Sequence, residues 1–181
     1  MKYCPACAQP LELRIPGGDN RPRAVCRACG AIHYENPRIV VGCVPEWQGR
    51  ILLCQRGIAP RRGYWTTPAG FFEIGETLQA GAARESLEEA LVRVQIGSLL
   101  AVTHVLHAAQ VHMTFRAQML DAHIGVGAET LQVGLYEERD IPWDRIAFPS
   151  IDFALRCYFE DRHAARESLH FSTVERPPPE G

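Results

Sequence analysis

Residues 70–92 read GFFEIGETLQAGAARESLEEALV, and the rest of the chain is organised around them. The stretch opens as a glycine loop and continues as a helix. Gly70 and Gly75 suit tight backbone turns, which glycine makes at little steric cost. Thr77 offers a hydroxyl to the orphan amides of a first helical turn. From there to Ala90 there is no proline, and the one interior glycine, Gly81, costs about 1 kcal/mol of helix propensity. At about 3.6 residues per turn, Ala80, Ala83, Leu87, Ala90 and Leu91 share one face. Glu85, Glu88 and Glu89 share the opposite one, with Arg84 beside them. Two readings of the carboxylates stand at this point. One is a solvated acidic face laced by Arg84; the other is a cage of hard oxygen ligands for Mg²⁺ or Mn²⁺.

The spacing separates them. Gly70, five residues, Glu76, seven residues, Arg84-Glu85, two residues, Glu88-Glu89 resembles the box of the Nudix hydrolases, a loop-helix-loop that holds divalent metals on the pyrophosphate of a nucleoside diphosphate linked to another group. The resemblance implies Glu85 and Glu89 as the main Mg²⁺ ligands, Glu88 as an assistant and the Gly70 carbonyl as a further ligand. Arg84 would orient the glutamates. Two positions depart from the family pattern. Ser86 stands where an aliphatic residue is usual, and Leu91 where a closing glycine is usual. A leucine adopts the left-handed conformation of that glycine only at about 1–2 kcal/mol, so the helix is expected to run past Leu91 toward Gly97.

The chain has 181 residues, 46% of them hydrophobic, enough for one core and a small appendage. A net charge of −2 argues against a general nucleic-acid binder. The longest apolar run, Ile39 to Val44, is too short to span a membrane. Cysteines stand where a signal peptide would have an apolar core. These features lead to the expectation of a cytoplasmic protein.

Residues 1–36 are the appendage. Cys4-x2-Cys7, 18 residues, then Cys26-x2-Cys29 is the spacing of a four-cysteine Zn²⁺ site. Two disulfides or a redox pair are the alternatives, and a reducing compartment disfavours the first. So short a segment cannot bury enough apolar surface alone, so the metal would supply its folding energy. Its charge, five basic residues against three acidic, is too weak to argue for nucleic acid. Cys43, Cys54 and Cys157 lie in apolar runs and read as buried thiols.

Asn36-Pro37 is a boundary, and residues 37–170 form the main domain. Ile39 to Val44 and Ile51 to Gln55 read as hairpin strands across Gln48-Gly49. Arg56, Arg61 and Arg62, in the loop before the helix segment, are weak candidates for phosphate binding. Leu99 to Leu106 and Val111 to Leu120 read as strands, Val126 to Thr130 as a loop, and Ser150 to Asp161 as an amphipathic helix. Residues 171–181, with Pro177-Pro178-Pro179, are expected to be a disordered tail.

The resemblance extends along the chain. The paired cysteines, IHYENPRIVVGC, RGYWTTPAGFFEIGET and IPWDRIAF are similar to a subgroup of zinc-ribbon Nudix hydrolases associated with ADP-ribose and FAD-type dinucleotides. It implies an α/β/α sandwich with a mixed sheet plus an N-terminal zinc ribbon, a nucleotide substrate, structural Zn²⁺ and a possible homodimer. The SQPWPFPxS-like signature of NADH pyrophosphatases is absent. Where the subgroup reads DVPH this chain has His104-Val105-Leu106-His107, and its ESLE appears as Glu129-Thr130-Leu131-Gln132. In the family a glutamate from such a loop serves as general base or extra ligand; Glu129 is retained and Gln132 cannot act so. The implied chemistry is attack of a metal-activated water on one phosphorus, with Glu88 or Glu129 taking the proton. A nucleotide sensor without catalysis and a housecleaning nucleoside triphosphatase are the other functional readings.

Overall fold

The computed structural model describes residues 1–176; the proline run of the expected tail lies outside the described residues. The chain divides into two compact units, Met1–Asn36 and Pro37 onward.

In the first unit β1 (Leu11–Arg14), β2 (Arg23–Cys26) and β3 (Ile32–His33) form an antiparallel sheet in the order β1-β2-β3. Each cysteine pair sits in a tight turn, closed by Ala8 N–H donating to Cys4 O and Gly30 N–H donating to Cys26 O, at 2.8 and 2.9 Å.

The second unit contains β4 (Arg38–Trp47), β5 (Arg50–Arg56), β6 (Trp65–Thr66), β7 (Ala69–Phe71), α1 (Leu78–Ala90), β8 (Val94–Val105), β9 (Gln110–Met119), β10 (Thr130–Tyr136), α2 (Pro149–His163) and β11 (His170–Val174). The main path of the mixed sheet runs β10-β5-β4-β9-β8-β11, with β6 and β7 paired to β5 and β4. The β4–β5 turn uses Gln48 and Gly49, both at positive φ (49° and 82°), the combination that matches strand twist in a two-residue hairpin.

The central strands are apolar on both faces, because both faces are covered. Val44, Ile51 and Leu53 pack with Ile151, Leu155 and Phe159 of α2. Cys43 packs with Ala82 of α1, and Leu52 and Cys54 with Ala90. Fully burying one such leucine is worth about 1.5–3 kcal/mol. The result is the α/β/α sandwich, with α1 and α2 on opposite faces.

Three features depart from the sequence reading or go beyond it. First, the face that α1 buries is not the alanine–leucine face grouped from the wheel. It buries Gly81, Ala82, Glu85, Ser86 and Ala90, while Leu87 is 51% exposed. Small residues let the helix lie close to β4, and Ser86 Oγ reaches Ala82 O (3.0 Å) and Cys43 Sγ (3.1 Å). Second, α1 stops at Ala90 and does not continue toward Gly97: Leu91 takes the left-handed conformation (φ 53°, ψ 29°) despite its side chain. Third, His170–Val174, within the expected tail except for its first residue, is a strand parallel to β8. It is anchored by Asp161 of α2, which accepts from Arg116, from Arg166 Nε (3.1 Å) and Ser168 N–H (2.9 Å), and meets His170 Nε2 at 3.1 Å.

Candidate active site

β7 and α1 bring the box residues together. Gly70 lies mid-strand in β7, opposite Val41, and its φ is not left-handed. It is glycine for want of space, not for a turn: a Cβ there would lie 2.3–2.4 Å from the Glu85 carboxylate. Glu85 thus packs directly on the backbone whose carbonyl was expected to join it.

Arg84 ties the loop to the helix. Its Nε and Nη2 donate to the two oxygens of Glu76 (3.1 and 2.9 Å) and Nη1 donates to Glu85 Oε1 (2.6 Å) and Glu88 Oε2 (3.0 Å). Nη2 also donates to Phe71 O at 3.0 Å. Glu76 is held as a carboxylate by Arg84 and the Glu73 N–H, which lower its pKa. It braces Arg84 and stands behind the other glutamates.

Glu85 and Glu89, one helical turn apart, differ from Glu88. Burial raises the Glu85 pKa against the pull of Arg84. Burial, and then the neighbouring Glu85 charge, push Glu89 up to about 8, although Arg56 and the Ala69 N–H favour its ionised form. Glu89 Oε2 is buried with no hydrogen-bond partner. Glu88 is 57% exposed at its side chain. A buried carboxylate at Glu85 next to a half-buried one at Glu89, whose Oε2 is buried and unsatisfied, is costly unless something cationic sits nearby. Hard oxygens in this arrangement fit Mg²⁺ or Mn²⁺.

Arg56, at the end of β5, closes the other side. Its charge acts on both Glu89 and Glu129, and burial lowers its pKa. Its Nε donates to Pro60 O (2.9 Å) and its guanidinium lies 4.9 Å from the Phe148 ring. Arg61 stacks on Tyr64 at 3.8 Å, with Arg145 5.7 Å from the same ring, and Arg62 is exposed. Of the three arginines, Arg56 joins the carboxylates. Arg145, which faces Tyr64, and Phe148, which faces Arg56, lie in the IPWDRIAF stretch and were not among the residues singled out from the sequence. A cavity of about 760 Å³ beside the β4–β5 turn, lined by Arg50, Trp143, Phe159 and Arg162 among others, includes none of these glutamates. Charge, not depth, marks the candidate site.

In the first unit the sulfurs of Cys4, Cys7, Cys26 and Cys29 lie within 4.8 Å of one another. Cys4–Cys29 and Cys7–Cys26 are separated by 3.7 and 3.4 Å. Four sulfurs about 2.3 Å from a tetrahedral Zn²⁺ would lie about 3.8 Å apart, so the cluster fits that ion. The N–H of Cys29 donates to Cys26 and lowers the pKa of its thiol, toward the thiolate a metal needs, while the contact with Cys26 pushes the neighbouring Cys7 thiol up.

Fold and site together define a Nudix-type sandwich carrying a paired-carboxylate helix, with a four-cysteine ribbon ahead of it. The NUDIX domain model matches residues 36–167 and the zinc-ribbon model described as Nudix N-terminal matches residues 2–35. The chain belongs to the Nudix hydrolase family. It is similar to a NUDIX hydrolase from Nitrosomonas europaea whose crystal structure superposes with a TM-score of 0.94 at 49% identity, covering 97% of this chain and all of the other. It is 36% identical over 96 residues to the NAD-capped RNA hydrolase NudC of Vibrio vulnificus, a stretch spanning 52% of this chain and 34% of that one. It is also 36% identical over 69 residues to the ADP-ribose pyrophosphatase of Methanocaldococcus jannaschii, spanning 38% and 41% of the two chains. Thus the matched stretches span less than half the length of each of these two curated relatives. Among the described residues no helix is long and apolar enough to cross a membrane.

Proposed function

We propose that the chain hydrolyses the pyrophosphate bond of a nucleoside diphosphate linked to another group, ADP-ribose or FAD, with Mg²⁺ or Mn²⁺ as cofactor. The observation that carries this reading is the buried, unpartnered oxygen of Glu89 beside the buried carboxylate of Glu85. Glu85, Glu89 and the Gly70 carbonyl would hold the cation, with Glu88 assisting. Bound there, a divalent cation neutralises charge building on the phosphate oxygens and acidifies a water.

The remaining work falls to this chain's own side chains. Arg84 holds Glu85 and Glu88 in place through its shared Nη1. Arg56 offers a positive charge on the far side of Glu89, where a phosphate oxygen can accept from it. Glu129 or Glu88, both exposed, takes the proton from the attacking water. Water adds across the P–O–P bridge, and the products are a nucleoside monophosphate and a phosphorylated remainder.

ADP-ribose is favoured by the resemblance and by the name of the archaeal relative; FAD is favoured by the resemblance alone. NADH ranks lower because the sequence lacks the corresponding signature. Leu106, in the exposed turn between β8 and β9 where the subgroup carries proline, supports loose discrimination among these substrates. Differences resting on packing amount to about 10–200-fold. The test is kcat/KM with Mg²⁺ for ADP-ribose, FAD, NADH and nucleoside triphosphates, with products identified. AMP plus ribose 5-phosphate, or AMP plus FMN, is the expected outcome. Tight ADP-ribose binding without turnover would favour a sensor, and rapid triphosphate hydrolysis with ADP-ribose untouched would favour a housecleaning enzyme. Retention of Arg84, Glu85, Glu88 and Glu89 speaks against the sensor.

A further inference from the structure

Helix α1 ends without the terminal glycine of its family pattern, and a distant segment of chain completes the end instead. The N–H of Leu91 returns to Leu87 O at 3.0 Å. The carbonyls of Glu89 and Ala90, which a helix end leaves without intrahelical partners, accept from Gly127 N–H (3.1 Å) and Gly125 N–H (2.8 Å). The fit is close. A Cβ on Gly127 would fall 1.8 Å from Glu88 O and 2.9 Å from Glu89 Cα, backbone atoms that move only if the last helical turn opens. A Cβ on Gly125 would meet the Leu91 side chain, Cδ1 at 2.7 Å, which can rotate away. Neither glycine has a left-handed φ. Contact with the helix, not backbone freedom, is what demands glycine at 127.

Two residues further on lies Glu129. Its carbonyl accepts from Gly57 N–H at 2.7 Å, and Thr130 N–H closes back onto Gly127 O at 3.2 Å. The segment 125–130 is therefore clamped on the end of α1 at one side and on the residue after β5 at the other. Glu129 is held between the two clamps, close enough for its charge to act on Glu89 and Arg56.

We propose that Gly125–Gly127 is a positioning strap: Gly127 acts through Glu129, fixing that carboxylate relative to Glu85 and Glu89, so that the end of α1 and the proton acceptor move as one body. The proposal rests on the pyrophosphatase reading above. It also accounts for Leu91, because the strap satisfies the helix end from outside.

The test uses the full zinc-loaded chain and Mg²⁺-dependent hydrolysis of ADP-ribose by wild type, Gly127→Ala, Gly125→Ala, Glu129→Gln and the double variant Gly127→Ala/Glu129→Gln. Loss of a general base costs about 10²-fold or more in kcat, so Glu129→Gln should fall by that factor with KM within about threefold. Gly127→Ala should lose at least a comparable factor, because the turn it opens also carries Glu88 and Glu89, Gly125→Ala far less, and the double variant less than the product of the two single losses, since both remove the function of Glu129. Amide hydrogen exchange at residues 125 and 127 should accelerate in Gly127→Ala, a readout independent of turnover. If Gly127→Ala does not fold, Gly57→Ala tests the other clamp: its Cβ would press on Glu129 O at 2.9 Å, and its three nearest atoms all belong to residues 129 and 130. Its loss should vanish in the Glu129→Gln background. Full multiplication of the two losses, wild-type kcat in Gly127→Ala, or wild-type kcat in Glu129→Gln would overturn the strap while leaving the pyrophosphatase reading intact. A wild type that turns over neither ADP-ribose nor FAD would sink that reading and the strap with it.

Discussion

The two units gather their charged ligands in opposite ways. In Met1–Asn36 four thiols meet because two tight turns face each other, and their sulfurs are already near tetrahedral spacing. There is little apolar core there: Val25 is buried, while Tyr3, Leu13, Ile15 and Tyr34 are more than half exposed. In the second unit the glutamates are pressed together by a core that exists without them, with α1 packed on Cys43, Leu52 and Cys54. A metal in the first unit would therefore supply fold. A metal in the second would relieve a charge conflict that the fold has built.

The sharpest way to break that contrast is Cys26→Ser. Apparent binding free energies at such sites are about 10–16 kcal/mol, so losing the ion should unfold the first 36 residues while the second unit melts as before. Elemental analysis and hydrogen exchange read both halves. Zinc-free protein with an ordered ribbon would contradict the account.

Next comes Asp161, the anchor of β11, 1% exposed. Removing one partner of a buried ion pair costs about 3–5 kcal/mol, so Asp161→Asn should destabilise the second unit by about that much and leave the ribbon untouched. Burial pushes the Asp161 carboxyl up, but the Ser168 N–H, His170 and Arg166 outweigh it and hold it at about 2. Its stabilising contribution is thus complete above the ordinary aspartate range and is lost as the pH falls toward 2. Denaturation profiles between pH 5 and about 2 should show that part of the slope in wild type and lack it in Asp161→Asn.

Glu89→Gln removes charge with little change of shape. It should weaken Mg²⁺ activation and lower turnover about 10²-fold, or about 2.7 kcal/mol. Wild-type activity at limiting Mg²⁺ would refute the assignment of Glu89. Glu76→Gln should cost less than tenfold, below about 1.4 kcal/mol, because Arg84 keeps Glu85, Glu88 and the Phe71 carbonyl. A loss matching that of Glu89→Gln would place Glu76 among the ligands.

Much of this architecture was legible because it is written in local spacing. The cysteine pairs, the capping Thr77 and the glutamates one helical turn apart all depend on near neighbours. What stayed hidden depends on contacts between distant segments. Gly70 was read as a turn residue, but its reason is the Glu85 carboxylate packed against it. Leu91 was expected to prolong the helix, because its left-handed cost is visible in sequence and the two strap hydrogen bonds that help offset it are not. The strand β10, Thr130–Tyr136, begins inside a segment read as loop, and β11 is five residues long and owes its place to Asp161. Arg56 could not be told from Arg61 and Arg62 until β5 set it beside Glu89.

The central claim is that the glutamate pair of α1 is a metal-dependent pyrophosphatase centre independent of the ribbon's zinc. The most direct measurement is ADP-ribose hydrolysis by the zinc-loaded wild type, stripped of loosely bound metal and titrated with Mg²⁺. The account predicts no turnover at the start, saturable activation by Mg²⁺, and AMP and ribose 5-phosphate in equal amounts. Turnover that is undiminished without added metal, or absent at every Mg²⁺ concentration, would contradict it.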